Sequence, residues 1–464
     1  MLLACVLALE SADLAAIGAV GPQLKAQLHV TNTQLGLLAA VSTFVGGVMT
    51  IPFGVLVDRV HRVRLLSLAI ATWAVAMLIG AASQSYEWLL ISRIGLGAVS
   101  AVAPPAIASL TGDFFDAEER GKIYGFVLSG ELLGTGIGFV VCGGIGGALG
   151  WRWGFAVLAP PALILAVVLS RVLAEPKRGA QSRRLQVPQV DDTRRQIVSQ
   201  GARAERDHLL RRDPRRMRLP AVVRYVLSIP TYRWLIIASS IGYFFFAGLR
   251  TFGVVFVRGH YGLSQGGAIA VLFVAGLGSL VAVLISGRTA DREIRRGRVT
   301  ARIVIAAVLY VAAAVFLLPA VLVSSLAVAM PLLILGAAGL SAPNPPLDAA
   351  RLDIMPGQLW GRAEGVRTLL RETAQAGAPL LFGVLADALG GIHANALASG
   401  AGHISAAEAR GLTYAFAIMT VPLAVNGILL LFVPRRSYPD DVATAIASER
   451  AVAELSRPSR AATA

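Results

Sequence analysis

Long apolar stretches recur along the whole chain and constrain its fold more than any other feature. A membrane-spanning helix needs about 20 mostly apolar residues, and the sequence contains about twelve stretches of that length. Of the 464 residues, 56% are hydrophobic and only 15% are charged, and the mean hydropathy is +0.68. A water-soluble protein of this length would need more polar surface. We therefore expect an all-α polytopic membrane protein with twelve transmembrane helices.

The predicted spans form two groups of six. Their centres lie near Asp13, Phe44, Ala74, Val102, Thr135 and Leu163 in the first group, and near Phe245, Leu277, Ala312, Gly336, Ala376 and Leu423 in the second. The sequence thus predicts an N-terminal six-helix bundle (1–174), an Arg-rich linker (175–230), a C-terminal six-helix bundle (231–436) and a tail (437–464). The end of the linker, from Leu219 to Leu227, is amphipathic enough to lie on the membrane surface.

Basic residues indicate the orientation. Arginine-rich segments follow spans two, four, six, eight and ten, whereas the alternate segments carry few basic residues, with Lys25 and Arg258 as exceptions. The positive-inside rule then places both termini and the linker in the cytoplasm of a bacterial inner membrane. The apolar run that begins at Leu2 has no basic segment before it, so we interpret it as a true span and not as a cleaved leader. The net charge of +15 does not indicate nucleic-acid binding, since no basic segment is interleaved with stacking aromatics.

An internal repeat relates the two halves. The pattern Gly-x-x-x-Asp-Arg follows span two and recurs 233 residues later after span eight, and Pro104-Pro105 similarly corresponds to Pro345-Pro346. The residues of the pattern are Gly54, Asp58 and Arg59 in the first copy and Gly287, Asp291 and Arg292 in the second. We expect these loops to act as a conformational latch, in which the aspartate pairs with an arginine or caps a helix in one state only. The alternative is an ordinary topology signal.

Asp13 and Arg93 are the intramembrane charges with the clearest expected partnership. Counting residues from opposite ends of spans one and four, at about 1.5 Å per residue, brings both to nearly the same depth. Such a pair can exchange its salt bridge for a proton or an anionic substrate, so Asp13 is a candidate for proton coupling and Arg93 for substrate binding or ion pairing. The alternative is a static structural ion pair.

Five further charged residues are candidates inside the predicted spans. Glu10 lies one turn before Asp13 on the same helix face and is a second coupling candidate, or else a snorkelling acid near the membrane edge. Glu131 is either a proton carrier or a hydrogen-bonding partner between helices. Arg250 and Arg371 can bind an anionic group, and Arg371 can instead pair with Glu372 or another acid.

Glycines in span five recur every four residues, at Gly130, Gly134 and Gly138. They lie in an apolar span and not in a strand–loop–helix unit, so they do not form a nucleotide-binding loop. We expect a smooth helix-packing face that lets span five slide against a neighbour.

These motifs resemble the major facilitator superfamily. Gly54–Arg64 resembles its loop signature between spans two and three, Ser92-Arg93 with Gly95 and Gly97 its span-four signature, and Trp151-Arg152-Trp153 the entry to span six. The resemblance runs from about Leu2 to Arg436 and implies the major facilitator fold. Asp13, Gln34–Leu38, Gly112–Phe115, Gly134–Gly138 and Gly377–Pro379 are similar to the spinster-like branch, whose characterised members move lysolipids and related lipid acids. The sequence departs from that branch at Leu14 and Ser100, where Arg and Glu are usual.

The combined features predict a secondary active transporter. We expect it to move a small amphipathic or lipophilic solute, which can carry a negative charge, by proton-coupled alternating access, and to work as a monomer without a cofactor or metal. Alternatives on the same scaffold are a non-transporting receptor or a channel. An intramembrane enzyme is disfavoured because all six histidines lie in loops or at span ends. Cys5 and Cys142 lie inside apolar runs, so we expect neither a disulfide framework nor a thiolate metal site.

Overall fold

The computed structural model describes residues 1–57, 59–114, 130–176, 202–204, 209–210, 217–356, 359–391 and 404–455. Within these ranges the regular structure is helical, without strands. Many large apolar side chains of the spans face outward, for example Leu68, Ile91, Ile164 and Val315. An outer surface of this kind fits a hydrocarbon surrounding and not water.

The first six spans form one bundle. They are Leu2–Ala19 (continued by Gly21–Leu28), Asn32–Val57, Arg62–Ala81, Tyr86–Ser100 (continued by Ala103–Phe114), Gly130–Leu149, and Trp151–Ala156 (continued by Ala159–Val172). The third and sixth spans pack along each other, and the fourth packs on the second and third.

The second six spans form the other bundle. They are Pro230–Tyr261, Gln265–Arg295, Ala301–Leu322, Leu326–Ser341 (continued by Asn344–Asp353), Trp360–Gly390 and Ala406–Phe432. Among the described residues, eleven of the twelve spans are long and apolar enough to cross a membrane. The remaining one, Trp360–Gly390, has 31 residues but carries several charges in its first half. It packs between the second, seventh and twelfth spans. The predicted twelve-helix, two-bundle fold is confirmed.

Proline explains why the fourth and tenth spans are each broken at the same place. The fourth span ends its first helix at Ser100 and begins the next at Ala103, just before Pro104-Pro105. The tenth span ends its first helix at Ser341 and begins the next at Asn344, just before Pro345-Pro346. Proline lacks an N–H donor and its ring clashes with the preceding turn, so a continuous helix is interrupted there. The internal repeat in the sequence is thus a repeat in helix geometry.

The span-five glycines pack against the first span of the same bundle. A Cβ atom added at Gly130, Gly134 or Gly138 would lie 2.1–2.5 Å from the carbonyl oxygen of Ala4, Ala8 or Ala12. Small residues at four-residue spacing on both helices allow this close backbone approach. The contact therefore joins two helices within one bundle.

The molecule has two ends, which we call proximal and distal. The proximal end carries the first residues of span one, the described parts of the linker and the last helix, and the distal end carries the end of span one and the beginnings of spans two and twelve. At the proximal end, a short helix Leu219–Ser228 precedes the seventh span, and a last helix Pro434–Leu455 packs on the seventh, ninth and twelfth spans. Tyr438 and Val442 of that last helix are fully buried.

Candidate functional site

The structure brings Asp13 and Arg93 together. Nη1 of Arg93 donates a hydrogen bond of 2.8 Å to Oδ1 of Asp13, and both side chains are almost fully buried. The guanidinium of Arg93 also stacks on the Phe155 ring, 4.2 Å from its centroid. Its Nη2 has no hydrogen-bond partner among the described residues. The ion pair thus neutralises both charges, but the Nη2 group of Arg93 is left without an acceptor among the described residues.

In the second bundle, Arg371 pairs with the residue next to it. Its Nη2 lies 2.6 Å from Oε1 of Glu372, and its guanidinium stacks on Tyr243 at 4.1 Å from the ring centroid. The Nε of Arg371 and the Oε1 of Gln375, one turn further along the span, are buried without a partner among the described residues. Of the two alternatives for Arg371, the structure shows the pair with Glu372.

Arg250 lies on the same face of the seventh span as Tyr243, two turns further toward the distal end. It is only 5% exposed. Its guanidinium lies 6.0 Å from the centroid of the Phe246 ring, and it makes no hydrogen bond or ion pair with the described part of the chain. Arg250 therefore has a charge that no single neighbour in the described ranges neutralises.

Glu10 and Glu131 complete a central cluster shared by the two bundles. Arg250 interacts electrostatically with Glu131, Glu372, Glu10 and Asp13, in decreasing order. Glu131 also interacts with Arg371. Neither Glu10 nor Glu131 forms an ion pair with a described residue. Carboxylates from the first bundle and guanidinium groups from the second thus belong to one group of interacting charges.

At the distal end, a carboxylate of the second bundle caps a helix of the first. Oδ1 of Asp387 accepts hydrogen bonds from the backbone N–H and the amide of Asn32, at 3.2 and 2.9 Å. Its Oδ2 accepts from the backbone N–H and hydroxyl of Thr33, at 2.8 and 2.6 Å. The first N–H groups of a helix have no intrahelical acceptor, so Asp387 supplies the N-terminal cap of the second span from the opposite bundle.

Two further polar contacts join the bundles at the distal end. Lys25 pairs with Glu408 at the start of span twelve and also donates to Oδ1 of Asn32 at 2.6 Å. Gln265 donates to the carbonyl oxygens of Ala19 and Gly143, each at 3.0 Å. Lys25 lies in a connection of the kind that otherwise carries few basic residues. Its structural partner there is Glu408.

Close backbone contacts accompany these bonds. A Cβ atom at Gly18 would lie 2.0 Å from the carbonyl oxygen of Arg250, and one at Gly36 would lie 2.2 Å from that of Pro379. One at Gly383 would lie 2.4 Å from the carbonyl oxygen of Asn32. The bundles therefore meet at the distal end with no room for a side chain at the crossing points.

The proximal end of the first bundle is held by Arg62. Its Nε donates to Glu175 at 2.8 Å, its Nη1 to the Ser109 hydroxyl at 2.9 Å and its Nη2 to the carbonyl oxygen of Pro176 at 2.8 Å. The predicted latch residue Asp58 lies outside the described residues, Arg59 is exposed, and Gly54 contacts the fourth span at Pro105.

The proximal end of the second bundle has a corresponding network around Arg302. Its Nη2 donates to Asp291 at 2.9 Å, and its Nη1 to Asp353 at the end of span ten. The Tyr438 hydroxyl of the last helix donates to the same Asp353 carboxylate. The predicted latch residues are thus placed around this network: Asp291 within it, Gly287 against Pro345, and Arg292 exposed.

Two repeated six-helix bundles with ionisable residues at their interface are an architecture found among secondary transporters. A model of the Major Facilitator Superfamily matches residues 3–379, and the chain belongs to that superfamily. It is accordingly a membrane transporter and not an enzyme.

Curated relatives match part of the chain. It is 30% identical to Protein spinster homolog 1 of Xenopus laevis over 181 residues, which is 37% of this chain and 33% of the relative. It is 32% identical over 173 residues to the Probable 4-methylmuconolactone transporter of Cupriavidus pinatubonensis, 36% of this chain and 40% of the relative. The matches span roughly a third of the length of these relatives. The expected resemblance to spinster-like proteins is confirmed.

Solved structures show the same fold along nearly the whole chain. A bacterial homolog of the human lysosomal transporter Spinster, in an inward-facing and unoccupied conformation, superposes with a TM-score of 0.72 at 20% identity. The match covers 95% of this chain and 97% of the other. A D-xylose–proton symporter gives 0.66 at 16% identity, with coverage of 93% and 96%.

Proposed function

We propose that this protein moves a small amphipathic or lipophilic solute by alternating access, coupled to protons. The observation that carries the proposal is the central cluster, whose acids Glu10, Asp13 and Glu131 belong to one bundle and whose arginines Arg250 and Arg371 belong to the other. Rocking one bundle against the other changes the distances between these charges. Proton binding and solute binding are then linked to the same movement.

Asp13 is the proposed coupling group. In the state seen here it is paired with Arg93, and a carboxylate without its partner and away from water favours its protonated form. Separating the pair in another state of the cycle would therefore take up a proton. Glu10 and Glu131, which lack an ion-pair partner among the described residues, are the alternative coupling groups.

A pH-jump transport screen in inside-out vesicles, with lysolipids, hydrophobic drugs and small organic acids in parallel, tests this proposal. With a solute found in that screen, Asp13→Asn should preserve solute exchange but abolish transport driven by a pH gradient. Arg93→Ala should impair both, because it leaves Asp13 buried and unpaired. If Asp13→Asn still concentrates solute with unchanged pH dependence, the coupling group is Glu10 or Glu131.

A second candidate is an anionic solute bound at Arg250. The guanidinium of Arg250, which has no ion-pair partner among the described residues, supports it. Arg250→Gln should then abolish transport of organic acids while leaving uncharged solutes unaffected. Equal losses for both kinds of solute would argue for a role of Arg250 in the closure of the bundles.

We also propose that both termini and the linker are cytoplasmic in a bacterial inner membrane. The arginine distribution supports this orientation. In a background without Cys5 and Cys142, cysteines at Ser182 and Ser399 should react with an impermeant reagent from opposite sides. Labelling of both from one side would contradict the topology.

A further inference from the structure

A basic surface lies at the proximal end of the second bundle, where the start of span seven meets the start of the last helix. Arg233 lies in the first turn of span seven, and Arg435 and Arg436 lie in the first turn of the helix Pro434–Leu455. All three side chains are exposed. In the described part of the chain, none of them makes an ion pair or a side-chain hydrogen bond. We call these three residues the proximal arginine surface.

Hydrogen bonds between the two helix starts bring these arginines into one region. The hydroxyl oxygens of Thr231 and Ser437 lie 2.6 Å apart, and the Thr231 N–H donates to the Asp441 carboxylate at 3.0 Å. Thr231 is two residues before Arg233, and Ser437 directly follows Arg436. The start of span seven and the start of the last helix therefore present their guanidinium groups side by side.

The acids of this region do not neutralise the surface. Asp441 is only 3% exposed and caps span seven from inside the bundle. Asp440 accepts a hydrogen bond from the backbone N–H of Arg203 at 2.9 Å. Neither acid pairs with an arginine of the surface. The outward-facing charge is therefore positive.

Exposed apolar side chains border the arginines on the side toward the middle of the spans. Ile237, one turn after Arg233 on the same face of span seven, is 43% exposed. Phe432 and Val433, directly before the last helix, are 61% and 38% exposed. The surface thus joins free guanidinium groups to an apolar strip at the level where spans seven and twelve have their proximal ends.

This combination matches the two parts of an anionic phospholipid. The arginines gain nothing from their own helices, because the first turn of a helix already carries partial positive charge. A phosphate accepts two parallel hydrogen bonds from a guanidinium, and basic groups at membrane level attract anionic headgroups. A free phosphate would leave the apolar strip uncovered, and a zwitterionic lipid would bring a cationic group to the same arginines.

We propose that the proximal arginine surface binds an anionic phospholipid, with the phosphate on the arginines and the acyl chains along Ile237 and Phe432. Because such a lipid contacts span seven and the last helix at once, it would stabilise the docking of that helix on the second bundle. The inference concerns a partner other than the solute and goes beyond the proposed transport function.

Two lipids with the same acyl chains test the proposal. Native mass spectrometry of the full chain in detergent micelles compares added phosphatidylglycerol with phosphatidylcholine, and we expect the first to bind about ten-fold more tightly or better. Arg233→Gln with Arg436→Gln should weaken phosphatidylglycerol binding by about ten-fold or more. Arg64→Gln with Arg171→Gln is the matched control, since it removes the same charge from exposed positions at the proximal end of the first bundle and should leave binding unchanged.

Photo-crosslinking tests the place of binding. In nanodiscs of mixed phosphatidylglycerol and phosphatidylcholine, p-benzoylphenylalanine in place of Phe432 should capture the anionic lipid above its share of the mixture. The same group in place of Val421, an exposed position nearer the middle of span twelve, should capture both lipids in proportion.

A soluble competitor separates a lipid from a free phosphate ester. Glycerophosphoglycerol, which has the headgroup without the acyl chains, should compete only weakly with phosphatidylglycerol. Full competition would mean that the arginines bind a free phosphate ester, and it would overturn the lipid assignment. Equal binding of the two lipids, equal losses in the two double variants, or the same capture at both crosslinking positions would also overturn the inference.

Discussion

The two ends of the molecule are held together in different ways. At the distal end the contacts run between the bundles: Asp387 caps the second span, Lys25 pairs with Glu408, and Gly36 crosses a backbone of the other bundle. At the proximal end the ion pairs described here run within a bundle. Arg62 joins Glu175 in the first, and Arg302 joins Asp291 and Asp353 in the second.

In the proposed alternating-access cycle, this difference separates contacts that must break during transport from contacts that can persist. In an alternating-access cycle each bundle moves nearly as a rigid body, and the contacts between bundles are exchanged. The proximal pairs can then keep each bundle intact in every state. The distal contacts belong to the state seen here, which is closed at the distal end, and they set its population.

The largest effect on this state should come from Gly36→Val. Its side chain would collide with the carbonyl oxygen of Pro379, and overpacking of this kind costs about 1–3 kcal/mol. The distally closed state should become about 5- to 150-fold less populated, and turnover should fall accordingly. Spin labels at Gln27 and Arg410, both exposed at the distal end, would report longer distances by double electron–electron resonance.

Gly47→Val is the matched control for that variant. Gly47 lies on the same helix, and a Cβ atom there meets nothing within 4 Å. Transport and label distances should stay at wild-type values. If the two glycine variants behave alike, the crossing at Gly36 does not limit closure.

Asp387→Asn should have a smaller effect in the same direction. The amide keeps the shape of the side chain but loses the charge and one acceptor, so some of the bonds to Asn32 and Thr33 are lost. Bonds to charged groups contribute about 1.5–3 kcal/mol, part of which water replaces when the end opens. A double-mutant cycle with Asn32→Ala, read out by the same label pair, should show coupling. Additive effects would mean that the cap does not act between the bundles.

A contact within one bundle could be predicted from the sequence, whereas contacts between bundles could not. The Asp13–Arg93 pair follows from depth, because helix rise per residue is constant. The Lys25–Glu408 pair joins residues 383 apart, and it depends on how two separately patterned bundles meet. The last helix could have been predicted from the sequence. Its residues Tyr438, Val442 and Ile446 recur every four residues, which favours a helix with one buried face.

At the proximal end, Asp291→Asn should slow turnover modestly and leave substrate affinity unchanged. Asp291 is about half exposed, and Arg302 keeps its second partner, Asp353, so the loss should be at most about 1 kcal/mol. Asp58→Asn in the first copy of the motif should have the stronger effect on turnover. Separate measurement of kcat and KM checks both variants. Normal turnover in both at normal expression would reduce these loops to topology signals.

The smallest effect concerns the pH dependence of the Arg62–Glu175 contact. Partial burial raises the pKa of Glu175, but hydrogen bonds from the Val63 N–H and from Arg62 outweigh it and hold the pKa below its usual value. The contact therefore stabilises the first bundle above the ordinary glutamate pKa of about 4.3, and this contribution is lost as the pH falls through the lower folded-state value. The wild-type advantage in thermal unfolding temperature over Glu175→Gln should shrink below about pH 4. An advantage that persists undiminished at lower pH would contradict this account.

The contact of Tyr438 with Asp353 also has a consequence for how the protein is made. The first bundle and its Arg62–Glu175 tie are complete once residue 176 has left the ribosome, so this half can fold while synthesis continues. The second bundle cannot complete the network around Arg302 until the helix Pro434–Leu455 has emerged. Until then the tenth span lies in the membrane with the carboxylate of Asp353 buried and without one of its final partners, the Tyr438 hydroxyl. Premature termination between residues 432 and 438 should accordingly leave a protease-resistant first bundle and a second bundle that quality-control proteases degrade.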